Sequence, residues 1–318
     1  MIAAALGLFL LLFALQMTTD TTPKPVVEEA SHALPDPPPP PAAPDPSEFD
    51  LGDGPGSIDL PDFPRDEVAA GELALDLSYG EFEVRPGPVG EPIRVEADFD
   101  SRRFTLREEM TERDDGTWRY SVGFAPRGGF LGLLMRPGSG PANRVTVVVP
   151  QGHPLSLVGS VGLGESSFDL TGLWLETVDL EAKMGEVLVE FREPSPVPMT
   201  SFDMRSRMGE VEIRGLGSAS PRAVNVQHRM GELLLDLAGP WVRDAEIETS
   251  VRMGESNIWV PSDVRVEIDT ARVEMGGLRL PRFDESDNLP EDSPTLRLRA
   301  QGGMGELSIE RIAPGSLD

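Results

Sequence analysis

Val178-Asp-Leu-Glu-Ala182-Lys-Met-Gly-Glu186-Val-Leu-Val189 alternates apolar and polar residues on both sides of a Met-Gly-Glu step. Alternation with period two belongs to a half-buried strand. The same step returns at Met208-Gly209-Glu210, Met230-Gly231-Glu232, Met253-Gly254-Glu255 and Met304-Gly305-Glu306, with looser copies at Tyr79-Gly80-Glu81, Leu163-Gly164-Glu165 and Met275-Gly276-Gly277. From Gly164 to Gly276 the spacings are 21, 24, 22, 23 and 22 residues. A unit that short cannot bury an apolar face alone, so the period implies stacked repeats.

Each unit reads as strand, glycine, strand. Val178, Leu180, Ala182 and Met184 share a face, and Val187, Val189 and Phe191 continue it. His228 and Met230 follow Val224 and Val226, with Leu233, Leu235 and Leu237 beyond. The skip of three across Gly-Glu marks a bulge or corner where glycine accepts a positive φ. Gly80, Gly164, Gly185, Gly209, Gly231, Gly254, Gly276 and Gly305 are therefore the structural repeat positions. The phase places Met184, Met208, Met230, Met253, Met275 and Met304, with Leu163, on an inner ladder as gap-filling core. The expected fold is all-β, a single-domain β-solenoid over residues 67–318.

Two interruptions break the period. Residues between Gly80 and Gly164 contain strands near Ile93–Phe99, Phe104–Glu109 and Trp118–Phe124, with a hairpin signal at Asp114-Asp115-Gly116. They read as an antiparallel N-terminal cap. The step from Gly276 to Gly305 is 29 residues, and its surplus, Phe283–Pro294, reads as an acidic extruded loop.

Upstream, residues 1–17 hold one polar side chain, Gln16. That length falls between a signal h-region and a spanning helix. No cationic start and no small-x-small cleavage site frame it, so an uncleaved membrane anchor helix is expected, with cleavage and release as the alternative. Residues 18–66, rich in proline and acid, predict a disordered linker reaching on the order of 100 Å.

Composition excludes several functions. A formal charge of −26 leaves no basic footprint for nucleic acid. The absence of cysteine removes disulfides, thiolate metal sites and cysteine nucleophiles. No nucleophile elbow, phosphate loop, zinc-binding histidine pair or dinucleotide fingerprint is present. No catalytic residue, cofactor or metal site is therefore expected, and a carbohydrate-active β-helix enzyme is the remote alternative.

The row Glu165, Glu186, Glu210, Glu232, Glu255 and Glu306 invites a Ca²⁺ reading. Lys183, Arg207, Arg229 and Arg252, each three residues earlier, suggest charge compensation instead. The methionines could be read as Cu(I) ligands, but their core phase argues against it. His32, His153 and His228 assemble no metal triad. Phe130, Leu131, Leu133, Leu134 and Met135 form an apolar loop between Arg127 and Arg136. That loop either caps the open end of the stack or contacts a membrane or partner.

The phrase Val145-Thr-Val-Val-Val-Pro150-Gln-Gly-His-Pro-Leu155-Ser-Leu157 followed by glycine-centred repeats resembles the bacterial "putative adhesin" domain family. Ser256-Asn-Ile-Trp-Val-Pro261-Ser-Asp-Val-Arg-Val-Glu-Ile268, Met275-Gly-Gly-Leu-Arg-Leu280, Leu296-Arg-Leu-Arg-Ala and Gly305-Glu-Leu-Ser-Ile309 resemble the C-terminal domain of LiaF-type cell-wall-antibiotic-response proteins. The resemblance spans about residues 67–312. It implies an extracytoplasmic β-solenoid of the bacterial envelope, used in stress signalling or surface interaction, with no catalytic residues. LiaF-type proteins usually carry several membrane helices, and this sequence offers at most one. The expected partners are the membrane, through residues 1–17, and an envelope protein or glycan.

Overall fold

The computed structural model describes residues 26–32, 71–114, 116–128, 143–281, 289–290 and 293–312. The expected anchor, the apolar loop at Phe130–Met135 and most of the acidic loop lie outside the described residues. Among those described, no helix is long and apolar enough to cross a membrane.

The described chain is nearly all strand: β1 (Val26–His32), β2 (Gly71–Gly87), β3 (Ile93–Phe99), β4 (Phe104–Glu112), β5 (Trp118–Pro126), β6 (Arg144–Pro150), β7 (Pro154–Asp169), β8 (Trp174–Glu190), β9 (Ser201–Arg214), β10 (Ala223–Asp236), β11 (Ala245–Pro261), β12 (Arg265–Arg279) and β13 (Thr295–Ile312). One 3₁₀ turn, Leu216–Ser218, interrupts the pattern. The strands join in one 13-stranded sheet.

From β2 to β12 the long strands run parallel, with every glycine step in register. Gly80 faces Gly164, then Gly185, Gly209, Gly231, Gly254, Gly305 and Gly276. Each of these glycines has a φ between 126° and 149°. That region is closed to other residues, and it breaks each long strand into two arms. Inward columns on both arms, such as Val178, Leu180, Val187 and Val189, are buried in one continuous core.

Segments after the second arms also step from unit to unit. The amide of Leu170 donates to the carbonyl of Glu190, Phe191 to Arg214 and Leu237 to Trp259. Sequence order and spatial order part at the end, because β13 inserts between β11 and β12. The 29-residue step supplies the extra chain that a return past one rung requires. Met275 therefore ends the row, beyond Met304, and β12 is the last strand of the stack.

The N-terminal end is built differently. β4 and β5 form the expected antiparallel hairpin, with Phe104 opposite Pro126 and Glu112 opposite Trp118. β5, however, pairs in parallel with the first arm of β2, and β6 with its second arm. β3 lies antiparallel on β6, and β1 antiparallel on β3. β1 comes from the segment expected to be wholly spacer, so that expectation is corrected at Val26–His32. A run of seven residues carrying two valines can pair with an exposed edge even where flanking prolines cannot.

Phe104 and Phe124 stack with ring centroids 5.3 Å apart, and Phe99 meets Phe124 edge-on at 5.3 Å. Burying an aromatic side chain of this kind contributes about 1.5–3 kcal/mol. Trp118 fills this end against Gly71, where an added Cβ would stand 2.0 Å from the indole.

Candidate functional site

The methionines are not core. Leu163, Met184, Met208, Met230, Met253, Met304 and Met275 are 37 to 64% exposed, while Met199 and Met204 are fully buried. The core face ends at Ala182 and resumes at Val187, five residues later instead of in the sequence's steps of two and three. Gly185 turns the chain between them, and at a convex corner the side chains on both sides point outward. Lys183, Met184 and Glu186 are accordingly all exposed.

The corner carries three parallel rows. On the first arm stand Lys183, Arg207, Arg229 and Arg252; on the crest, the methionines; on the second arm, Glu81, Glu165, Glu186, Glu210, Glu232, Glu255 and Glu306. The expected compensation of the glutamate row by the basic residues three positions earlier is not what forms among the described residues. Arg207 reaches Glu181 of the neighbouring strand at 2.9 Å, and Arg205 pairs with Asp179. The crest separates the basic row from the acidic one. Only the ends of the acidic row are paired among the described residues, Glu81 with Arg144 and Glu306 with Arg279 at 2.7 Å. The carboxylate of Glu81 also raises the pKa of the exposed Arg144 guanidinium.

Between these ends, neighbouring carboxylates stand one strand apart, about 4.8 Å. In water that repulsion is about 1 kcal/mol per pair, less with salt. The acidic row borders an open groove of about 470 Å³ lined by Glu81, Glu83, Glu165, Glu186, Glu210 and Arg144. Arg144 and Glu83 were not singled out from the sequence; Glu83 was legible as the next outward position after Glu81. A second open depression, about 880 Å³, lies between the β4–β5 hairpin and the first arms, with Arg119, Glu108, Val158, Asp179 and Arg205 on its walls.

The buried groups whose protonation the fold shifts lie elsewhere. His228 is buried beneath the glycine row with neither ring nitrogen in hydrogen-bond geometry. Burial lowers its pKa, and nearby backbone groups of Gly209 and Met230 offset only part of that. Burial also lowers the pKa of His153. Asp236 is raised by burial although it accepts from the amides of Gly215 and Ala238, both at 2.9 Å.

Tyr120, fully buried, donates its hydroxyl to Glu108, and burial and that carboxylate together raise the phenol's pKa. His32 of β1 approaches the same carboxylate at 4.0 Å and the Tyr120 ring at 5.3 Å. This contact joins the β1 edge of one arm to the β4 edge of the other. Among the described residues, no three His, Asp or Glu side chains stand where they could hold a metal ion.

No protein-family model and no curated protein matches the chain. Among solved structures, a "putative cell adhesion protein" from Clostridium sporogenes aligns with 91% of this chain and 100% of its own, at 10% identity and a TM-score of 0.41. A "putative adhesin" from Bacteroides fragilis aligns with 90% of this chain and 100% of its own, at 8% identity and a TM-score of 0.37. Likenesses this distant carry no inference about function.

Proposed function

We propose that the chain is a non-enzymatic β-solenoid of a bacterial envelope, tethered by residues 1–17 or released from them, that serves as a binding and scaffolding module. The observation that supports this best is the in-register stacking of corner units, which repeats one exposed pattern at every strand spacing. A repeated row suits a partner that is itself extended, because each added rung adds a contact to the same partner. Both rows carry unpaired charge among the described residues, but the acidic one lines the groove, so the partner we propose is an envelope protein or polymer presenting positive charge.

Glycan adhesion is the second form of the reading, and the groove chemistry favours it less. Sugar faces stack on exposed aromatic rings, and no Trp or Tyr lines either groove. An enzyme is disfavoured because His153, His228, Asp236 and Tyr120, the buried groups with displaced protonation, are distributed through the core instead of converging on a groove.

The test is affinity capture from envelope extracts with the full chain and with Glu165→Gln/Glu186→Gln/Glu210→Gln. Partners retained by the native chain, released by moderate salt and absent from the variant agree with the proposal. Identical retention by both chains would overturn it.

A further inference from the structure

We propose that the methionine crest is a soft-metal site that binds Cu(I) between the thioethers of adjacent strands. Met184, Met208, Met230, Met253, Met304 and Met275 are successive cross-strand partners. Parallel neighbours stand about 4.7–4.9 Å apart. Zinc–thiolate bonds are about 2.3 Å, and two metal–sulfur bonds of about that length placed in line span about 4.6 Å. An ion held between two thioethers therefore matches the strand spacing, and the three rotatable bonds of methionine absorb the remainder.

Packing gives no reason for sulfur here. The crest is exposed, and Leu163 and Tyr79 occupy the same column on the neighbouring strands, so the corner forms with a leucine or a tyrosine there. Six of the chain's 12 methionines nevertheless sit on this one line, and with no cysteine present thioethers are the softest donors available. Thioethers select Cu(I) among the common first-row ions. On one flank Glu186, Glu210, Glu232 and Glu255 have no ion pair among the described residues, and on the other stand Lys183, Arg207, Arg229 and Arg252, so selection at the crest rests on the sulfur donors and not on the field. At the far end Arg279 occupies Glu306, but Gly303 and Glu274 stand where the other rungs carry Lys or Arg, so charge singles out no pair.

The full chain, in detergent and free of oxygen, is titrated with Cu(I) supplied as its acetonitrile complex against a chromophoric Cu(I) chelator. Up to three ions per chain are expected, because six methionines divide into three separate pairs, with sulfur as the nearest neighbour by X-ray absorption. Replacing all six crest methionines by leucine keeps the apolar volume and should weaken retention at least about tenfold, with the circular dichroism spectrum unchanged. Should that variant fold poorly, Met184→Leu/Met208→Leu is expected to lose one ion and keep the others. Native-like Cu(I) retention in either variant, or a native chain that fails to compete with the chelator, overturns the proposal. None of these outcomes depends on the partner proposed above.

Discussion

The carbonyl oxygen of Gly185 lies 1.8 Å from the point where a Cβ on Gly209 would stand. The same contact repeats from Gly164 to Gly185, from Gly209 to Gly231 and from Gly231 to Gly254. The glycine is required twice over, since its φ of 126° is closed to side chains and the neighbouring strand fills the space. Gly209→Ala should cost on the order of 3 kcal/mol or more. Gly90→Ala is the comparison, because φ there is 77° with nothing within 4 Å, and strain alone costs about 1–2 kcal/mol. Urea melts of both variants decide the matter, and equal midpoints would remove the role assigned to the glycine contact.

The glycine row, the hairpin at β4–β5 and the all-strand composition were legible because each rests on local pattern: alternation, a turn signal and a residue with φ > 0. The exposure of the methionines was not. Alternation fixes faces only along an unbroken strand, and the corner inserts residues that belong to neither face. The position of β13 was equally hidden, since a period counts units and does not give the order in which their strands pair. β1 is not legible from local pattern because sixty residues of chain separate it from its partner β3.

Exposure of the crest can be read chemically. Peroxide converts accessible thioethers to sulfoxides, while buried ones wait for the chain to open. Met184, Met208, Met230 and Met253 should oxidise at least about tenfold faster than Met199 and Met204, as followed by peptide mass spectrometry. Uniform oxidation across both groups would contradict the convex corner.

Tyr120 and Glu108 make a separable prediction about the N-terminal end. Tyr120→Phe leaves a mostly buried carboxylate without its donor, and an orphaned buried group costs about 1–3 kcal/mol. The variant should lose stability in urea at pH 7, and the double variant Tyr120→Phe/Glu108→Gln should recover part of the loss. A single variant as stable as the native chain would mean that the hydroxyl contributes nothing there.

His228 and His153 predict a dependence on pH. Burial lowers both pKa values below the ordinary 6.5, so the unfolded chain takes up protons that the folded chain refuses. Stability from these groups is complete above about pH 6.5 and is lost as the pH falls through that value toward the folded pKa. Each histidine contributes a slope of up to about 1.4 kcal/mol per pH unit in that window. His228→Leu removes the larger anomaly, an imidazole with neither nitrogen bonded, while filling similar volume. Denaturation midpoints at pH 7.5 and 5.5 should lie closer together in His228→Leu than in the native chain, with no loss at pH 7.5. An unchanged gap between the two midpoints would show that His228 is protonated, or free to become so, in the folded state.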